Sequence, residues 1–177
     1  MDLSDWSAPE FALLYGGTGL HFDHLQSRDL ICPTLARPGG VRIRVSFSCH
    51  CFTETYLQDR HKDRPCLLDG GRKRAFCPTR FEMSFQLPEL IDSLPAAHVY
   101  LTPESNFMRL GAGDTTEYRM CFSLKRLSRA PYDLKLYVQS AYPLERPGLA
   151  LTKMQKVRFK VLADKILNQE RLGFHRR

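Results

Sequence analysis

The stretch VRIRVSFSCHCF, residues 41–52, decides how the chain is expected to fold. Apolar and polar residues alternate strictly along it, and side chains on a β-strand point to opposite faces in turn. The stretch therefore predicts a half-buried β-strand with one apolar face. Its polar face carries two arginines, two hydroxyls and an imidazole: Arg42, Arg44, Ser46, Ser48 and His50. Such a face can hold an anion beside a titratable group.

The length and composition predict one globular domain over residues 1–177, with residues 1–40 as an N-terminal extension and residues 41–172 as the core. No apolar run approaches the roughly 20 residues that span a bilayer. The acidic N-terminus, MDLSDWSAPEF, lacks the apolar segment of a secretory signal. We therefore expect a cytoplasmic protein with reduced cysteines and no membrane partner.

The net charge of +7 favours a polyanionic partner such as RNA. Most of the excess lies between Lys153 and Arg177, and a second basic cluster comprises Arg72, Lys73, Arg74 and Arg80. A basic segment of this kind is also typical of an ordinary solvated surface, so charge alone leaves both interpretations open.

The remaining pattern predicts an α+β fold, with a mainly antiparallel sheet of four to six strands, one or two packed helices and a basic C-terminal helix. Helices are expected near residues 79–86 and 88–94, and from about Lys156 to Leu172. A short strand is expected over His98–Leu101. Segments 117–125 and 133–142 alternate like an antiparallel hairpin, with Leu134, Leu136, Val138, Ser140 and Tyr142 on one face of the second strand.

Two motifs near the N-terminus are interpreted conservatively. Gly16-Gly17-Thr18-Gly19 resembles a phosphate loop, but the lysine and hydroxyl that such a loop needs do not follow, so it predicts a turn. His21 and His24 have the spacing of a metal pair on a helix, but we interpret them as part of a polar surface segment. The polar segment 53–74 predicts a long loop that can carry a hairpin at Asp69-Gly70-Gly71.

The cysteines raise the alternatives of a zinc site and a cysteine nucleophile. Four of them lie near two histidines: Cys49, Cys51, Cys66 and Cys77, with His50 and His61. Their spacing does not match the paired knuckles of common structural zinc sites. Strand alternation also points the Cys49 and Cys51 thiols away from the His50 ring. We therefore interpret these cysteines as core residues and expect no metal and no cofactor.

The polar face also suits acid–base chemistry on RNA, which needs a titratable group and cations around the phosphorane. His50, Arg80 and Tyr142 are the candidate catalytic residues. The candidate nucleic-acid-binding residues are Arg42, Arg44, Arg74, Ser84, Ser140 and Lys156. The alternative is that His50 hydrogen-bonds to the following loop while the arginines form surface ion pairs.

Several runs in the chain resemble a family of small proteobacterial proteins carried on mobile elements, sometimes labelled "stationary phase growth adaptation". They are HCFTE (50–54), RAF (74–76), RFEMSFQLPELI (80–91), VYLT (99–102), NF (106–107), VQSAY (138–142) and KVRFKVL (156–162). The resemblance implies a bacterial, cytoplasmic setting. The element order is more distantly similar to the α+β toxin ribonucleases, the group of barnase, the colicin tRNases and the mRNA-cleaving toxins, although their catalytic Glu–Arg–His order is absent.

Together these observations predict a small cytoplasmic RNA-directed effector, and specifically a metal-independent endoribonuclease toxin of a mobile element, with an antitoxin or another protein as a further partner. The alternative, from a different class, is a non-enzymatic interaction protein that binds a host or phage protein or a nucleic acid.

Overall fold

The computed structural model describes residues 13–102, 107–111, 118–128, 131–143 and 154–170. Twelve strands and four α-helices occur in this part of the chain. The strands are β1 (Leu13–Tyr15), β2 (Thr18–Leu20), β3 (Arg28–Cys32), β4 (Val41–Phe47), β5 (Thr53–Thr55), β6 (Cys66–Asp69), β7 (Arg72–Phe76), β8 (His98–Leu101), β9 (Phe107–Gly111), β10 (Tyr118–Arg126), β11 (Leu134–Pro143) and β12 (Lys156–Arg158). The helices are α1 (Gln58–His61), α2 (Pro78–Ser84), α3 (Leu87–Asp92) and α4 (Phe159–Leu167).

A seven-stranded sheet dominates the fold, in the order β12-β8-β9-β10-β11-β4-β3. Every neighbouring pair in it is antiparallel except β4 and β11, which run parallel with Ile43 opposite Leu134. The predicted α+β class is confirmed. The sheet has seven strands instead of the four to six expected, because β3 and β12 extend its two edges.

Strand β4 has the predicted alternation but is shorter than predicted. Val41, Ile43 and Val45 are fully buried. The strand ends at Phe47, since the hydroxyl of Ser48 accepts a hydrogen bond from the His50 N–H at 3.1 Å and caps a 3₁₀ turn over Cys49–Cys51. The expectation that one strand extends from residue 41 to residue 52 is therefore wrong at its C-terminal end.

The predicted hairpin of β10 and β11 is confirmed, but a β-bulge interrupts its register. Cys121 lies opposite Ser140 and Phe122 lies opposite Val138, so Gln139 is the extra residue on β11. Beyond the bulge the alternation is shifted by one residue. Ala141 is consequently buried, while Tyr142 is partly exposed, the reverse of the faces expected from the sequence.

The hydrophobic core includes residues that precede β4. Phe22 and Cys32 are fully buried, and Leu25 and Leu30 are 3% and 6% exposed. Strand β3 pairs with β4 as an edge of the seven-stranded sheet. The core therefore begins before residue 41, in the segment that the sequence analysis placed in an N-terminal extension. The Gly16-Gly17 turn expected there joins β1 to β2 with positive φ at both glycines.

The helices lie close to their predicted positions. Proline occupies the first turn of both α2 and α3, where its missing N–H costs nothing. At the C-terminus, residues 156–158 form strand β12, and α4 begins only at Phe159 and ends at Leu167. The helix expected from about Lys156 to Leu172 is therefore shorter at both ends. Phe159, Leu162 and Ala163 of α4 are fully buried, and α4 packs on β10.

A second, three-stranded sheet has the order β5-β7-β6. It occupies the segment that the sequence predicted as a loop with a hairpin. Gly70 and Gly71, with φ of +54° and +78°, form the two-residue turn between β6 and β7. Such a turn needs positive φ at both positions, which glycine adopts without a steric penalty. In the described part of the chain, no helix has the length and apolar character needed to cross a membrane.

Candidate functional site

An open cavity of about 280 Å³ lies where α1, α2, β5 and the end of β11 meet. Its charged and polar lining consists of Glu54, Arg60, Arg64, Thr79, Arg80 and Tyr142. We call this cavity the arginine cleft. Three guanidinium groups face one carboxylate, so the lining carries a net positive charge.

Arg80 connects the cleft to the turn after β4. Its Nη1 donates to the carbonyl oxygens of His50 at 3.2 Å and Thr53 at 2.9 Å, and its guanidinium lies over the Tyr142 ring, 5.3 Å from the centroid. Arg74 donates to the same Thr53 carbonyl and to the Thr53 hydroxyl. Both arginines bond to uncharged acceptors, and neither forms an ion pair with any described residue.

Arg119 places a second cation on the Tyr142 ring. The two residues lie directly opposite each other on β10 and β11, and the Arg119 guanidinium is 5.9 Å from the ring centroid. Arg119 is 6% exposed and its Nε has no hydrogen-bond partner. None of the described ion pairs includes it. Burying a cation that no described carboxylate neutralises is costly.

The one carboxylate of the cleft is already neutralised. Arg64 Nη1 donates to Glu54 Oε1 at 2.9 Å. The same oxygen lies 3.1 Å from Nε2 of the buried His61, although the N–H is not directed along a hydrogen bond. His61 Nδ1 accepts the Leu57 N–H at 2.8 Å, so Nε2 carries the proton of the neutral ring. Glu54 therefore leaves Arg60 and Arg80 uncompensated.

His50 lies beside the cleft and does not line it. Its side chain is 33% exposed and Nε2 is 2.6 Å from Asp69 Oδ2. Burial lowers the pKa of His50 and the Asp69 carboxylate partly opposes this shift, while the Arg74 and Arg80 cations lower the pKa further. The ring is therefore neutral at pH 7, with Nε2 donating to the carboxylate. Of the three candidate catalytic residues, Arg80 and Tyr142 meet in the cleft and His50 is connected to it through its carbonyl.

Arg42 and Arg44 share a face of β4 as predicted, but they lie beside Asp29 and Tyr132 and do not line the arginine cleft. Arg44 forms an ion pair with Asp29 at 2.7 Å, and Tyr132 donates to the same carboxylate. These hydrogen bonds lower the pKa of Asp29 and raise that of Arg44. Arg42 lies over the Tyr132 ring at 5.7 Å. The alternative in which these arginines form surface ion pairs therefore describes Arg44, whereas none of the described ion pairs includes Arg42.

Lys156 and Ser140 are two further residues proposed to contact nucleic acid. Lys156 lies on the edge strand β12, over the Tyr100 ring at 5.8 Å. Four strand spacings separate β12 from β11, or about 19 Å at about 4.8 Å each, so Lys156 is remote from the cleft. Ser140 shares the face of β11 that carries Tyr142 and is partly exposed.

The expectation that Ser84 hydrogen-bonds a phosphate is wrong, because Ser84 is fully buried. Its hydroxyl donates to the Phe81 carbonyl at 2.6 Å and accepts from His24 Nε2 at 2.7 Å. His24 also stacks on Phe85, with 3.9 Å between ring centroids. His24 is thus a packed histidine that joins the N-terminal segment to α2, instead of half of a metal pair with His21.

Acid should destabilise the fold through His24. Burial lowers its pKa to about 4, with Asp23 opposing the shift. Because the unfolded chain binds the proton near pH 6.5, the free energy of unfolding falls as pH drops from about 6.5 to about 4. Allowing for partial exposure, we expect the wild type to lose about 1.5 kcal/mol more than His24→Gln over this window. Urea unfolding at pH 7 and pH 4.5 measures the difference. The exposed control His21→Gln should lose as much unfolding free energy as the wild type. An equal loss in His24→Gln would contradict the prediction.

Sequence reasoning missed Arg60, Arg64 and Arg119 as residues of the site. The alternation of segment 117–125 predicts that Arg119 lies on the outward face of its strand, and nothing else in the sequence marks it as a site residue. Nothing in the local pattern indicates that the Tyr142 side chain will lie against it, since their pairing depends on the bulge at Gln139. Arg60 lies in α1 and Arg64 lies three residues after it, and α1 is a single helical turn too short to show a periodic signal.

Comparison with known proteins identifies the family. The model of the YjaZ family matches residues 12–167, which is most of the chain. The chain belongs to the YjaZ family. It is 28% identical to protein YjaZ of Escherichia coli (strain K12) over 142 residues, which cover 76% of this chain and 75% of that protein. No solved structure matches this YjaZ-family protein.

Family membership corrects the resemblances inferred from the sequence. The similarity to a mobile-element family and to the toxin ribonucleases is wrong, because the match over residues 12–167 is to the YjaZ family. The matched range also starts well before residue 41, in agreement with the buried positions of Phe22 and Leu30.

Proposed function

We propose that this YjaZ-family protein binds single-stranded RNA in the cytoplasm through the arginine cleft, without cleaving it. The observation that carries the proposal is that Arg80 and Arg119 both contact the Tyr142 ring while neither is paired with a carboxylate in the described structure. A phosphate group beside this pair would supply the missing negative charge. Arginine suits that role because its planar guanidinium donates two parallel hydrogen bonds to phosphate.

A polymer is favoured over a small anion because further exposed cations lie outside the cavity, although those near α1 alternate with Asp59 and Asp63. Arg60 and Lys62 are exposed on α1 and just after it, and Arg72 and Lys73 are exposed on β7. Arg74, next on β7, shares the Thr53 carbonyl with Arg80 and so joins this strand to the cleft. Phosphates spaced along one strand of RNA can follow such a series of cations.

RNA binding is favoured over RNA cleavage because the titratable ring of His50 lies outside the arginine cleft. His50 does not line the cleft, and its Nε2 is held by Asp69. A general base must reach the proton that it removes, through a direct hydrogen bond or one water molecule. RNA cleavage by His50, Arg80 and Tyr142 stays a prediction from the sequence, and the proposal does not depend on it.

The cytoplasmic setting is proposed from the thiols. All six cysteines are free, and Cys32, Cys49 and Cys51 are buried. Burial raises the pKa of Cys32 to about 11, which keeps it a neutral thiol. Free thiols persist where glutathione and thioredoxin keep them reduced.

Charge reversal at Arg60 tests the proposal without disturbing the fold, since Arg60 is exposed and lines the cleft. We expect Arg60→Glu to weaken binding of a fluorescent single-stranded RNA about tenfold at 0.1 M salt. The slope of log affinity against log salt concentration should become shallower by about one unit, because fewer counterions are released. Fluorescence anisotropy titrations at several salt concentrations give both quantities.

Arg158→Glu is the matched control, with the same charge change at an exposed residue on the remote strand β12. Its RNA affinity should stay within about twofold of that of the wild type, a difference that reflects only the change in net charge. Equal losses in Arg60→Glu and Arg158→Glu would show that binding depends on overall charge and not on the cleft. His50→Ala should leave the affinity unchanged.

A further inference from the structure

Three side chains with metal-ligating atoms converge beside the arginine cleft. The Cys49 sulfur, a His50 ring nitrogen and an Asp69 carboxylate oxygen all lie within 4.8 Å of one another. Strand alternation would have kept Cys49 and His50 apart. The 3₁₀ turn after β4 removes that alternation and lets neighbouring residues approach a common point.

The backbone around these residues is well fixed. The Ser48 hydroxyl accepts the His50 N–H, and the Thr53 hydroxyl donates to the Cys49 carbonyl at 2.8 Å. Asp69 is the last residue of β6, immediately before the Gly70-Gly71 turn. The β6–β7 hairpin therefore places the Asp69 carboxylate on one side of the site, and the 3₁₀ turn places the Cys49 thiol and the His50 imidazole on the other.

We propose that Cys49, His50 and Asp69 bind one Zn²⁺ ion through the thiolate sulfur, an imidazole nitrogen and a carboxylate oxygen. Zinc bonds of about 2.0–2.3 Å place tetrahedral ligand atoms about 3.4–3.6 Å apart, inside the observed 4.8 Å limit. The 2.6 Å hydrogen bond between His50 and Asp69 opens by less than about 1 Å to reach this spacing. As the metal binds, the Cys49 thiol releases its proton to solvent, and the neutral His50 ring carries its proton on Nδ1 so that the Nε2 lone pair can bind the ion.

The donor set selects the class of metal. A thiolate with an imidazole suits zinc and its first-row neighbours and does not suit Mg²⁺ or Ca²⁺, which take oxygen ligands. The ligand charges also suit the neighbourhood. A thiolate and a carboxylate neutralise a divalent ion, so the metal-bound site is neutral beside Arg74 and Arg80.

The fourth coordination position faces solvent. The Cys49 side chain is buried at the base of the site, whereas His50 and Asp69 are 33% and 36% exposed. Three protein ligands with one open position are typical of zinc sites that bind water or a substrate atom. Structural sites, in contrast, surround the ion with four protein ligands.

Cobalt substitution tests this site with a spectroscopic signature. Titration of the reduced full-length protein with Co²⁺ alone should give one equivalent of tetrahedral cobalt, with an intense visible band and a thiolate-to-cobalt charge-transfer band. Zn²⁺ should remove both bands. Cys49→Ser should lose the charge-transfer band. Asp69→Asn and His50→Ala should bind cobalt at least roughly a hundredfold more weakly, since even outer-shell partners change affinity about 10- to 100-fold.

The controls separate this site from other thiols and from RNA binding. Cys66→Ser removes another partly exposed thiol and should keep the charge-transfer band. Arg60→Glu should bind cobalt like the wild type even though it weakens RNA binding. The absence of tetrahedral cobalt bands, or bands that persist in Cys49→Ser, overturns the proposal. Urea unfolding of Asp69→Asn, a substitution at a partly exposed residue, confirms that its loss of cobalt is not a loss of fold.

Discussion

Phe22→Ala should reduce the free energy of unfolding by about 3–5 kcal/mol, the range found when a fully buried phenylalanine is truncated. The Phe22 ring is fully buried, 4.5 Å from Phe52 and 5.1 Å from Phe81 between centroids. Truncation removes the apolar area that the ring buries and leaves a cavity among aromatic side chains that cannot close completely. Urea unfolding at pH 7, followed by far-UV circular dichroism, measures the change.

Leu35→Ala is the control from the same segment, because Leu35 is 90% exposed. Its unfolding free energy should stay within about 0.5 kcal/mol of the wild type. The comparison decides whether residues 13–40 belong to the cooperative core. A loss below about 1 kcal/mol for Phe22→Ala would mean that the segment unfolds separately from the seven-stranded sheet.

The alternation of apolar and polar residues was sufficient to predict individual strands and their buried faces. Alternation in β4 correctly gave Val41, Ile43 and Val45 as core residues, because the two-residue period depends only on the local backbone. The parallel pairing of β4 with β11 could not be predicted, since it joins Ile43 to Leu134 and depends on how the whole chain packs. Parallel neighbours leave no short turn between them for the sequence to show.

The candidate site was only partly predictable for the same reason. Arg80 and Tyr142 were identified by residue type, and they do meet. Their convergence depends on the bulge at Gln139, which no glycine or proline marks. The position of His50 depends on Ser48, whose side chain ends β4 by capping the next turn. Apolar and polar residues continue to alternate through residues 48–52. The sequence pattern therefore gives no sign of the Ser48 hydrogen bond that ends the strand.

Arg119→Met should increase the free energy of unfolding by about 2 kcal/mol and weaken RNA binding about tenfold. Arg119 is 6% exposed, its Nε has no hydrogen-bond partner, and it forms none of the ion pairs in the described part of the chain. Its contact with the Tyr142 ring offsets part of the cost of desolvation. An apolar side chain of similar length keeps the packing and removes the buried charge, which is commonly neutral or stabilising.

A residue that lowers stability is retained when its charge has another use, and here we infer that the use is attraction of phosphate toward Tyr142. Arg44→Met is the matched control, because Arg44 is paired with Asp29 at the surface. It should lose up to about 1 kcal/mol and keep its RNA affinity. Arg119→Lys, which preserves the charge, should recover most of the affinity without the gain in stability. If Arg119→Met is destabilised by more than about 2 kcal/mol, the guanidinium is structural and the charge argument fails. If Arg119→Met is more stable than the wild type and binds RNA equally well, the unpaired cation at Tyr142 does not contribute to RNA binding.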